Sequence, residues 1–244
     1  MKKIKFINSE GLKLLAMLFM LLDHLWATLV SGNQWMNYVG RLAFPIFAFL
    51  IAEGYSHTSN VKKYAKRLLL FGLISEIPFD LMCTGTFFFP FHQNVMFTLL
   101  LGLLCINEIE KLKKAVNAKG RVVCLLKMGL FLLVGTVGFV DYGAMGILVV
   151  IAFYVFRNFK LAPLFQLLSL VLLFWVFFKG MGIVIPLGGR ELFLPVQAFG
   201  ILSLIPIWLY NGKKGSGSKA VKYAFYAFYP VHMALIYVVY ALFF

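Results

Sequence analysis

Asp23 and His24 stand side by side within residues 14–26, a run otherwise apolar enough to lie in lipid. An ionisable side chain at membrane depth costs about 2.5–3.5 kcal/mol on insertion scales, so such residues read as a site facing a bundle interior or a wet cavity. A histidine there titrates near working pH and can serve as a general base. Neighbours at i and i+1 do not share a helix face, so Asp23 is not placed to orient the His24 ring and needs another partner. Arg41 is available to it. Arg41 is equally available to Glu76 or Asp80, which are four residues apart on one helix face, with Pro78 between them to loosen the backbone. Glu53, the segment His92-Gln93-Asn94, Asp141 and His232 complete the polar set; His232 falls two residues after Pro230. Each has a plainer reading. Glu53 and Arg67 can snorkel to an interface, His92 can be a solvated loop residue, and His232 can be a hydrogen-bonded core histidine.

Acyl transfer from a thioester could use this set. It needs a base for the acceptor's proton and donors for the developing oxyanion. His24 can be the first, and Asn94, Gln93 or Arg41 the second. A donor made in the cytoplasm carries an anionic, phosphate-bearing head. Lys62, Lys63, Lys66 and Arg67, and the basic stretch 111–121, could attract it. Any basic loop would look similar.

Several elements must position these residues. The 244 residues are 62% hydrophobic and 13% charged, against about 25% charged in ordinary soluble domains. That composition predicts one all-α domain over residues 1–244, a polytopic bundle of membrane-spanning helices. The apolar runs lie at about 11–31, 40–56, 67–83, 94–109, 122–140, 143–157, 161–178, 194–210 and 223–243, each near the length that crosses a bilayer. The first run is too long for a signal-peptide core and has no small-residue cleavage site, so it reads as a retained helix. With the N-terminus in the cytoplasm, nine spans put all of the 23 basic residues except Arg41, Lys179 and Arg190 on the inner side. A ten-span variant follows if 180–194 is re-entrant. The net charge of +14 is thus a basic cytoplasmic face, and nucleic acid is not expected. Cys83, Cys105 and Cys124 are isolated, so no metal is expected. Residues 212–218 read as a flexible loop by composition.

The blocks carrying the polar residues resemble the TraX family of membrane proteins. They are Leu12-Lys13-Leu14-Leu15-Ala16-Met17 leading to Asp23-His24, Gly40-Arg41-Leu42-Ala43-Phe44-Pro45, Glu53-Gly54, Tyr64-Ala65-Lys66-Arg67, Ile74-Ser75-Glu76-Ile77-Pro78-Phe79-Asp80, Gln93-Asn94-Val95-Met96-Phe97-Thr98 and Tyr229-Pro230-Val231-His232. They run from the first span to the last, while residues 145–195 are generic apolar sequence. The resemblance implies a multi-pass acyltransferase of the cytoplasmic (inner) membrane. It also implies kinship with the acyltransferase-3 and heparan-glucosaminide acetyltransferase-like enzymes, with acetyl-CoA as donor and no metal. The acceptor it implies is reached from the membrane or its outer side: a peptide N-terminus, a sugar or a lipid-linked group.

That resemblance makes His24 the catalytic residue, as general base or transient acyl carrier; on residue chemistry, Asp23 would support it, Asn94 would be an oxyanion donor and His232 a polar wall or proton relay. Arg41, Glu53, Glu76, Asp80, Gln93 and Asp141 order the site, and Lys62, Lys63, Lys66 and Arg67 receive the donor's phosphates. Two other classes compete. Mid-membrane acids and histidines suit a proton-coupled transporter, although no internal repeat of the kind many carriers show is evident. A non-catalytic scaffold in the membrane is the third. The assembly state, a homodimer included, is open.

Overall fold

The computed structural model describes residues 5–178 and 180–244, so Lys2, Lys3 and Lys179 of the charge pattern lie outside the described residues. The chain is predominantly helical. In order it forms α1 (Ser9–Thr28), α2 (Gln34–Gly40), α3 (Ala43–His57), α4 (Val61–Thr84), α5 (Val95–Lys114), α6 (Ala118–Val137), α7 (Gly143–Val155) and α8 (Ala162–Val171). A π-helical turn, Leu172–Phe177, continues α8. Strands β1 (Gly182–Leu187) and β2 (Arg190–Pro195), a 3-10 helix (Val196–Ser203), α9 (Leu204–Trp208) and α10 (Lys219–Phe243) follow.

Asparagine starts four of these helices. The side chains of Asn8, Asn60, Asn94 and Asn117 accept backbone N–H bonds from Gly11, Lys63, Met96 and Gly120. Each satisfies a donor that the first helical turn leaves open. At the far end of α4, Gly85 takes a left-handed φ of 71°, as a helix C-cap often does.

Among the described residues, four helical segments are long and apolar enough to cross a membrane: Ser9–Thr28, Gln34–Ser56, Ala118–Val137 and Ala220–Phe243. Leu125, Leu126, Leu130 and Leu133 all stand exposed along α6. In water such a face would be a liability; against lipid it is ordinary. These helices fit a membrane protein.

Three expectations are corrected. The stretch 180–194 is a β-hairpin rather than a re-entrant helix, so the fold is not purely α. Gly188 and Gly189, with φ of 53° and 86°, form the two-residue turn, and Leu187 pairs with Arg190 across it. Two successive positive φ angles are what a tight hairpin of this kind requires. The run expected at 194–210 begins, after Pro195 at the end of β2, as a 3-10 helix that passes directly into a short α-helix containing Pro206. The loop expected to be flexible is tied to α1: Ser216 N and Oγ donate to Glu10 at 2.8 Å each, and Gly217 N at 3.2 Å.

The chain divides into two compact units. The first holds the chain to Phe47, Phe156–Phe228 and Val238–Phe244. In it α1 packs on α2, and α1 buries Leu12, Ala16 and Met20, spaced by four residues as one helix face requires. The second holds Ala48–Val155 and Tyr229–Tyr237. Its core includes Leu101, Cys105 and Ile147, with Phe131, Leu132, Val140 and Ile151 packed around them. There α5 and α7 approach closely at Gly102, where a Cβ would come within 2.8 Å of Val150.

Candidate functional site

In the first unit, Asp23 lies three residues beyond Met20 and continues the inward stripe of α1. The segment then crosses α2 at Gly40. A Cβ on Gly40 would overlap the Asp23 side chain, reaching its Cγ at 2.8 Å. Only glycine lets the carboxylate sit this close to α2. The next residue, Arg41, caps the C-terminus of α2. Its Nη2 donates to Asp23 Oδ1 at 2.7 Å and to Oδ2 at 2.8 Å. Of the pairings open to Arg41, the structure shows the one with Asp23. Both groups are about one-fifth exposed, so the charges neutralise one another in a mostly dry setting.

His24 is half-buried, and its backbone carbonyl accepts from Thr28 Oγ1 at 2.7 Å. It is turned about 100° from Asp23 by helix geometry, as the adjacent positions predict.

Beside the ion pair lies a cleft of about 430 Å³ lined by Trp26, Asn37, Tyr38, Gly182, Ile183 and Val196, among others. A smaller cleft of about 180 Å³ shares Asn37 and Val196 and adds Arg41 and Gln197. Trp26 follows Asp23 by three residues, on the same side of α1. The Tyr38 ring stacks on Phe199 at 4.6 Å. Gly200 keeps the 3-10 helix close to α2: a Cβ there would meet the Arg41 carbonyl at 3.1 Å and Gln197 Nε2 at 3.2 Å. From the sequence Trp26 reads only as an interface anchor near a span end, and Asn37 and Gln197 are not singled out. Neutral side chains give no charge signal in an apolar run, although an amide inside one is itself a mark.

The second unit holds the remaining expected site residues, at the end where α4 turns into α5. Asn94 is fully buried. Its backbone N and Nδ2 donate to Glu76 Oε1 at 2.8 and 2.5 Å, Nδ2 also donates to the Gly72 carbonyl at 2.9 Å, and Oδ1 caps α5 through Met96 N at 2.9 Å. Both amide hydrogens are thus committed in this structure, where Asn94 serves as a cap and brace. Gln93 works through its backbone: its N donates to the Phe139 carbonyl and its carbonyl accepts from Asp141 N, both at 2.9 Å. Thr98 Oγ1 donates to the Asp141 carbonyl.

Asp80 is buried, and its Oδ2 accepts from Phe89 N at 2.9 Å. His92 is not merely solvated: its Nε2 lies 3.7 Å from Asp141 Oδ1 and its ring packs edge-on against Phe79. The Asp141 carboxylate raises the His92 pKa above its ordinary value against the opposing effect of burial. Glu53 is buried rather than snorkelling, 3.4 Å from His57 Nε2. His232 is buried on α10, its ring 5.9 Å from that of Tyr229. Glu108, a buried acid on α5 held by Lys111 at 2.5 Å, gave no signal in the sequence beyond the charge itself.

Lys62, Lys63, Lys66 and Arg67 occupy the first turns of α4. The three lysines are exposed. The Arg67 guanidinium lies over the Tyr64 ring at 5.4 Å, and its buried Nε has no hydrogen-bond partner among the described residues. A helix N-terminus with cations beside it is a setting that attracts anions.

A family model described as TraX protein matches residues 8–240. The chain is also similar to a probable fimbrial assembly protein FimC, serogroup H1, of Dichelobacter nodosus, with 33% identity over 243 residues and 94% of each chain covered. No solved structure matches. The family match spans both units and every expected site residue, and this chain belongs to the TraX family.

Proposed function

We propose that this TraX-family chain is an integral membrane acyltransferase of the cytoplasmic membrane, related to the acyltransferase-3 group. It would cross the bilayer nine times with its N-terminus inside, and move an acetyl or short acyl group to an amine or hydroxyl. The observation that carries the reading is the bidentate Arg41–Asp23 pair beneath Gly40. With both Asp23 oxygens engaged by a guanidinium, Asp23 is a poor base, and the adjacent half-buried His24 is the titratable group suited to that role. His24 takes the proton of the attacking amine or hydroxyl and returns it to the leaving thiolate. Arg41 and Asp23 hold α1 against α2, which fixes the depth of His24. Acetyl-CoA supplies the thioester acyl group when bound. Lys62, Lys63, Lys66 and Arg67 would attract the phosphates of such a donor by charge.

The fimbrial name of the relative favours a protein subunit's amino terminus among the acceptors to be tried first. Purified protein in nanodiscs is given labelled acetyl-CoA with an N-terminal glycine peptide, an alkyl glycoside or no acceptor. Label should pass to an acceptor or to water, and fall at least a hundredfold in His24→Ala. Undiminished transfer in that variant removes His24 from the chemistry. No transfer to any acceptor, together with solute or proton flux in proteoliposomes lacking a donor, favours the proton-coupled carrier instead.

A further inference from the structure

The second cleft of the first unit presents an unusual surface. Asn37 is 1% exposed and Gln197 is 3% exposed. Both polar atoms of each carboxamide, and the buried Nε1 of Trp26, have no hydrogen-bond partner among the described residues. A buried carboxamide with no partner loses its bonds to water and gains nothing in return, a cost natural proteins avoid. Here two such groups and an indole N–H line two clefts that share Asn37, Met181 and Val196. The larger, at about 430 Å³, falls in the range of small-molecule sites.

The chemistry of the lining narrows what would fit. Arg41 is engaged by Asp23, so the nearby charge is internally balanced and does not select an anion or a cation. Trp26 Nε1 offers a donor only, while Asn37 and Gln197 each offer two N–H donors and a carbonyl acceptor. A carboxylate or phosphate would leave the amide oxygens unmet, and an ammonium would leave the N–H groups unmet. One peptide unit brings a single donor and a single acceptor. Several hydroxyls, each donating and accepting on one atom, match this density of mixed groups.

We propose that Trp26, Asn37 and Gln197 form a binding site for a neutral polyhydroxylated ligand of sugar size. The site goes beyond the acyl-transfer reading and does not depend on it, because binding is measured with no acyl donor present.

The test uses the full-length protein in nanodiscs, with Trp fluorescence and equilibrium dialysis against three probes: methyl glucoside, glucose 6-phosphate and an N-acetyl amino-acid amide. Saturable binding of methyl glucoside is expected, with glucose 6-phosphate and the amide each at least tenfold weaker. Asn37→Leu and Gln197→Met should each weaken glucoside binding at least tenfold while raising the melting temperature of the ligand-free protein, since each removes an unmet amide without opening a cavity. A lowered melting temperature with binding intact would show that the amides serve the fold and overturn the site. Absence of saturable glucoside binding in the wild-type protein, or tighter binding of the phosphate or the amide, would overturn it equally.

Discussion

The two units treat their buried polar groups differently. In the second, the side chains at the turn from α4 into α5 are spent on groups within the fold, Asn94 on Glu76, Gly72 and Met96 and Asp80 on Phe89, while the Gln93 backbone bonds to Phe139 and Asp141. What stays unpaired in these groups is a single atom, such as Asp80 Oδ1. In the first unit the charged pair is equally closed, but two whole carboxamides beside it are not. A satisfied network rigidifies; an unsatisfied one costs stability and is available to a ligand. The contrast sets Glu76, Asp80 and Asn94 apart as groups bonded within the fold, and Asn37 and Gln197 as groups whose bonds the fold leaves unmade.

Breaking the first unit's ion pair should give the largest effect. Removing one partner of a fully buried pair costs about 3–5 kcal/mol. With both ends about one-fifth exposed, Arg41→Ala should cost about 2–3 kcal/mol after allowance for solvent screening. The double variant Asp23→Leu, Arg41→Met should recover most of that loss in a thermal melt while remaining inactive. A double variant no more stable than Arg41→Ala would mean that the pair does more for the fold than neutralise two charges.

The second unit's brace ranks next. Asn94→Ala loses a helix cap, worth about 1 kcal/mol, and leaves Glu76 and the Gly72 carbonyl short of a donor, for a total of about 2 kcal/mol. Asn94→Asp keeps the cap but sets a second carboxylate against Glu76, and should fall as far. Wild-type stability in Asn94→Asp would break the assignment of Asn94 to a brace. Gly40→Ala should cost about 1–2 kcal/mol by overpacking against Asp23. Gly129→Ala, in a helix with open space around it, should instead be neutral or stabilise by up to about 1 kcal/mol. Equal melting temperatures for the two alanine variants would remove the close approach of α1 and α2 from the account.

The helices were legible in the sequence wherever an apolar run was long, as in α1, α6 and α10. The Asp23–Arg41 pair was legible as one of the options because adjacent residues on a helix cannot face one another. The hairpin was hidden because Ile183, Val184 and Ile185 read equally as helix or strand when only hydrophobicity is counted; Gly188-Gly189, which demands a left-handed turn, was the signal that decides it. The cap at Asn94 was not read from the sequence, because an asparagine before an apolar run is a cap as readily as a donor for chemistry. Asn37 and Gln197 passed unnoticed because solvation cost, not charge, sets them apart, and that cost depends on partners brought in from distant sequence.

The smallest effect separates the units by pH. His92 lies outside the spanning helices and faces Asp141, with Phe79 against its ring and Glu76 and Asp80 adding negative potential. Its pKa is raised in the folded protein, chiefly by Asp141. A raised pKa means that the folded state binds the proton more tightly than the unfolded chain. The contribution is therefore fully present below the ordinary histidine value of 6.5 and is lost as pH rises through the folded-state value. With His92 44% exposed, screening limits it to under about 1 kcal/mol. His92→Gln should flatten the stability profile between about pH 6 and 8, relative to an ordinary histidine pKa near 6.5, and leave the Arg41→Ala deficit unchanged, because the two groups share no partner. A stability profile that keeps its slope in His92→Gln would transfer the titration to another group and remove His92 from the brace.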